Sequence, residues 1–171
     1  MRFTITGEQR KNSFLRTVIL LFLAYIFLHW VTNGAMYFQA MGLTPESVVH
    51  HYLGDPHQFT NPRSYDSMLQ VTHFHLFAMG ILVLTLVHLM LFAPLADRAK
   101  HFGIWTPFTL AVANEGAGWL VRFVDPAFAY LKIATFVGLE LSLLWVMAVT
   151  LASLATNRRN GYRVGVSTSQ G

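Results

Sequence analysis

Four stretches of the chain, 14–38, 68–91, 104–124 and 126–155, are apolar over runs long enough to be helices crossing a membrane. A helix of about 20 residues crosses a hydrocarbon core of about 30 Å. The first run continues too far for a signal-peptide core of about 7–15 residues and reads as the first helix. The third is diluted by Pro107, Asn114, Glu115, Gly116 and Gly118. Stopped before Asn114 it is too short to cross, so it either runs through to Phe123 against its neighbours or turns back as a re-entrant segment. In the 39–67 loop, "LTPESVVHHYLGD" carries Thr44 as a cap, Pro45 at the first helical position, Glu46 in the first turn and Gly54 as a stop. That order predicts a short helix of about two turns. The following "DPHQFTNPRSYDS" is rich in turn formers and is expected to be irregular but packed, and the terminal "STSQG" to be loose. No repeat or second domain interrupts 1–171.

Only 12% of the residues are charged, about half the share usual in a soluble domain. The expected class is therefore all-α, an integral membrane four-helix bundle. Its basic residues cluster at the ends of the apolar runs: Arg2, Arg10, Lys11 and Arg16, then Arg98 and Lys100, then Arg158, Arg159 and Arg163. By the positive-inside rule these place both termini and the 94–103 loop on the cytoplasmic side. The net charge of +4 is thereby an orientation signal, and nucleic acid is not expected as a partner. The chain has no cysteine, so disulfides, thiolate-held clusters and covalent c-type haem are excluded.

The second run carries His73, His75 and His88. An imidazole in hydrocarbon needs a hydrogen-bond partner, a metal or a water-filled cavity. His73 and His88 are separated by about 22 Å of rise and about 60° of rotation, so they share a helix face near opposite membrane surfaces. Gly80, between them and about 20° from His73 in projection, leaves room for a macrocycle edge. On the first run His29 falls in the outer leaflet, about 20 Å above Arg16, where it can face His73 or His75 across one haem. His88 has His101 or Met147 as a possible second ligand, histidine–methionine ligation being a known combination. One haem b is expected rather than two, with His29, His73 and His88 as the iron ligands. The plainer account is that these rings bond across helices as structural contacts.

A copper or zinc site is the alternative use of His73 and His75 with His50, His51 and His57, although adjacent residues point about 100° apart on a helix. Glu140 and Glu115 lie within the fourth and third runs. Each needs a partner, a proton or water there, and either could exchange a proton with a quinone. Arg122, Asp125 and Lys132 read as interfacial anchors.

This layout, with four spans and histidines at 29, 73 and 88, resembles the small four-helix membrane-bound b-type cytochromes, such as cytochrome b561-like proteins and the b subunits of formate dehydrogenase and hydrogenase. The fourth span has no histidine, which departs from that pattern. The resemblance implies a multi-pass subunit of the bacterial inner membrane that passes electrons between the quinone pool and a protein redox partner on the outer side. Glu115 and Glu140 would be its proton-handling residues. The competing expectation is a non-redox accessory subunit of a larger membrane complex.

Overall fold

In the computed structural model, which describes residues 13–166 and the side chains of 13–154, the chain forms four long helices and one short one. They are α1 (Ser13–Ala40), α2 (Pro45–Leu53), α3 (Tyr65–Met90), α4 (Asp97–Phe123) and α5 (Ala129–Val166), with a 3-10 turn at Pro126–Phe128 leading into α5. The described residues contain no strand. Of the expected signals, Arg2, Arg10, Lys11 and the "STSQG" terminus lie outside the described residues.

Three segments, Ser13–Ala40, Tyr65–Met90 and Pro126–Leu154, are long and apolar enough to cross a membrane. α4 is one unbroken helix of 27 residues with Pro107 inside it, so the 104–124 stretch runs through to Phe123 and does not turn back. Its polar residues lower its hydropathy, and two of them face neighbouring helices. Asn114 and Glu115 are bonded to α5 and α3 respectively.

The core lies where α3 and α5 meet the N-terminal half of α1, with Leu23, Ile26, Val83, Leu86, Met90, Leu143 and Val146 buried together. α4 closes on this core at Gly103. A Cβ there would come within 2.6 Å of the Met90 sulfur and 2.7 Å of the Trp145 ring. The missing side chain is what lets the three helices approach. α1 touches mainly α5, stacking Tyr37 on Phe136 with ring centroids 3.5 Å apart. Trp30 Nε1 donates to the Glu140 carbonyl at 3.1 Å, and Asn33 Nδ2 to Glu140 Oε1 at 2.6 Å.

A second cluster forms under α2. Thr44 caps that helix by accepting from the Ser47 amide, Pro45 opens it, and Gly54 ends it at φ 81°, as the sequence signals require. Val48 and Tyr52 pack with Met68, Val121 and Ala129. Beyond Gly54 the loop is irregular, as expected, but its packing is confined to its start: Asp55 is buried and 56–66 are exposed. Arg63 N donates to Tyr52 O, and Arg122 Nε to Arg63 O at 2.8 Å, tying the loop to the C-terminal end of α4.

Burial, with the Arg63 charge, pushes His51 on α2 from its ordinary 6.5 down to about 4. Between these values the unfolded segment binds a proton that the docked one does not, so docking weakens as pH falls. The protection of the α2 amides, the slowing of their exchange relative to the free peptide at the same pH, is therefore expected to be high above about 6.5 and to fall as pH drops toward 4. His51→Phe should flatten that dependence; an unchanged pH profile in the variant would disprove the assignment to His51.

Candidate functional site

On α3, Thr72 and His75 are three residues apart, and on α4, Glu115 and Trp119 are four apart, spacings that bring each pair to one helix face. The two faces meet. His75 Nδ1 lies 2.8 Å from Glu115 Oε1, Thr72 Oγ1 donates to Glu115 Oε2 at 3.5 Å, and Trp119 Nε1 donates to Thr72 Oγ1 at 2.8 Å. A carboxylate only accepts, so the His75 Nδ1 carries the hydrogen, and in the neutral form of the ring the lone pair is on Nε2.

One residue back, Asn114 turns about 100° toward α5. Its carbonyl accepts from Lys132 Nζ at 2.9 Å, and its side-chain oxygen from Thr135 Oγ1 at 3.5 Å. Lys132 is only 6% exposed, so it is an interior cation and not the interfacial anchor its place in the sequence suggests. Its ammonium interacts with the Glu115 carboxylate. Glu115 is thus the centre of an intramembrane network, with an imidazole on one side and an ammonium on the other.

The His75 side chain is 50% exposed and Glu115 14%. Together they form the polar end of a groove whose remaining wall is Leu76, Met79 and Gly80 from α3 and Phe108, Ala111 and Val112 from α4. A Cβ on Gly80 would meet nothing within 4 Å. The room expected at Gly80 is therefore present, but it belongs to this groove.

Glu140 is separate from this network. Its partners Asn33 and Trp30 are both on α1, so the expected approach of Glu115 to Glu140 is replaced by two independent pairings. Glu140 holds α1 onto α5, and Glu115 holds α3 to α4.

His29, His73, His88 and His101 are all exposed. His73 and His88 have only edge contacts, with Phe74 and Phe92. No described side chain hydrogen-bonds these rings. Met147, by contrast, is buried in the core, away from the exposed His88 ring. Among the described residues no three metal-ligating side chains converge, so His50, His51, His57, His73 and His75 do not assemble a copper or zinc cluster. His50 instead lies 3.3 Å from Asp55.

Contacts along the helices fix relative depth. Tyr37 faces Phe136 and Asn33 faces Glu140; the same antiparallel register brings His29 opposite residue 144. Met90 and Trp145 both close on Gly103. His29 is consequently level with His88 within about a turn, and about 20 Å from the level of His73. The sequence expectation paired His29 with His73 because it measured depth from Arg16, whereas docking contacts set where α1 sits. His101, two residues before Gly103, lies near the same level as His88.

A family model for a transmembrane helical domain, Aq_1264_TM, matches residues 42–161. The chain belongs to this family. The matched segment runs from just before α2 through most of α5, so the family's domain contains the His75–Glu115–Lys132 network and His88, whereas α1 with His29 precedes it. Membership makes the chain a membrane helical protein, in agreement with its three apolar spans. Neither a curated protein nor a solved structure matches it significantly.

Proposed function

We propose that the protein is an electron-transfer subunit of the bacterial inner membrane that holds haem b non-covalently and exchanges electrons between the quinone pool and a redox partner on the outer side. The observation that carries this reading is a contrast in partnering. Within the helices His75, Glu115, Lys132, Asn33 and Glu140 all have hydrogen-bond partners, while the rings of His29 and His88 find none among the described residues. Unpartnered imidazoles in a bilayer are functional candidates by default.

The donor set matches haem in kind and in level: two exposed imidazoles, on α1 and α3, whose levels agree within about a turn. His29 and His88 are the proposed axial ligands. His101 is the substitute for His29, but it sits beside Asp97, Arg98 and Lys100, where water serves it equally well. Bound there, haem supplies one-electron chemistry. The chain's own task is to fix ring depth, which it does through the Glu140 contacts of α1 and the Gly103 approach of α3 to α4. In this reading α4 is the fourth span and both termini are cytoplasmic.

Purified protein from haem-replete cells is expected to give a b-type reduced-minus-oxidised spectrum and a positive pyridine haemochrome assay. His29→Ala and His88→Ala should each lose at least half of the haem, and His50→Ala, His51→Ala and His57→Ala none. A colourless wild-type preparation would favour the second reading, an accessory subunit whose exposed imidazoles bond to a neighbouring protein in a larger complex.

A further inference from the structure

We propose that the groove between α3 and α4 binds the head of a bilayer-borne hydroquinone, with one ring hydroxyl donating to His75 Nε2. This rests on the preceding reading for the use of the ligand, not for its binding. Three features select the occupant.

The first is depth. His75 is ten residues inside α3 from Tyr65, about 15 Å of rise, whereas phosphate heads remain at the interface. The second is charge. The polar end holds the Glu115 carboxylate, which opposes phosphates and fatty carboxylates and leaves neutral heads as the compatible class. The third is the acceptor. Nδ1 of His75 is committed to Glu115 at 2.8 Å, which orients the ring and supports a proton arriving on Nε2, as a carboxylate behind an imidazole does in general base sites. Such a backed imidazole matches a hydroxyl acidic enough to give up its proton, and a phenolic hydroxyl is one.

The remaining wall suits a flat ring and a hydrocarbon tail. Met79, Gly80, Phe108 and Ala111 are apolar, and the groove encloses only about 40 Å³ before it opens to the bilayer. That is far below the roughly 300–1,000 Å³ of enclosed small-ligand sites, so the ring lies along the open groove rather than inside a cavity.

The test uses the full chain in nanodiscs, a diazirine-bearing ubiquinol analogue kept in its reduced form, and mass-spectrometric mapping of the label, with decylubiquinol as competitor. Labelling is expected within 75–80 and 108–115 and should be displaced by decylubiquinol. Gly80→Leu fills the groove at a position where an added Cβ meets nothing within 4 Å, so it should fold normally yet cut labelling at least tenfold. His75→Phe should do likewise, and Gly34→Ala, also in open space, should not. Unchanged labelling in both Gly80→Leu and His75→Phe overturns the proposal, as does equal competition by lysophosphatidylcholine, which would make the groove an acyl-chain site. Colourless protein that still labels here keeps the groove and removes the haem reading; coloured protein that does not label removes the groove alone.

Discussion

Glu115→Leu is expected to destabilise the protein by about 1–3 kcal/mol, the cost of leaving partly buried hydrogen-bonding groups without their acceptor. Lys132 would keep only the Asn114 carbonyl as its partner, with its charge uncompensated at 6% exposure. His75 and Thr72 would lose the acceptor that joins α3 to α4. Glu115→Gln should cost less, since it keeps an acceptor for His75 and Thr72 but removes the charge. Thermal unfolding in detergent, followed by circular dichroism, gives the order wild type above Gln above Leu. A Leu variant as stable as wild type would show that Lys132 and Glu115 do not depend on each other.

Gly54→Ala is expected to undock the outer loop. The residue has φ 81° and ψ 165°, a region essentially restricted to glycine, where a side chain costs about 1–3 kcal/mol from the backbone alone. A clash adds to this. The new Cβ would fall 2.5 Å from the Thr60 carbonyl oxygen and 2.9 Å from the Asn61 carbonyl carbon, both backbone atoms with no rotamer to move them away. Residues 56–66 are already exposed, so limited proteolysis there should accelerate about tenfold or more, the ratio that about 1.4 kcal/mol of lost docking energy gives. Gly34→Ala, with nothing within 4 Å and a helical backbone, is the matched control. Equal cleavage rates in the two variants would mean that the turn at Gly54 does not govern the loop.

The sequence by itself determined the elements whose causes are local. Runs of apolar residues placed α1, α3 and α5, because length and hydropathy are properties of a segment alone. Thr44, Pro45 and Gly54 placed α2, because caps act within a turn of the residues they satisfy. The 104–124 run was ambiguous for the converse reason: whether Asn114 and Glu115 break a span depends on what they meet, and their partners His75 and Lys132 are on other helices. Tertiary structure decided that they are satisfied, and so that α4 continues to Phe123. It also decided that Lys132 is interior and that Glu115 and Glu140 serve different helix pairs. The period of a helix tells which residues share a face, but not which neighbour that face meets. The level of His29 is the clearest case. Counting residues from Arg16 gives distance along α1, whereas depth relative to α3 is set by how α1 docks, through Tyr37 on Phe136 and Asn33 on Glu140. Helix–helix register in a bilayer comes from side-chain packing and a few polar contacts, and those are made only when the helices are together.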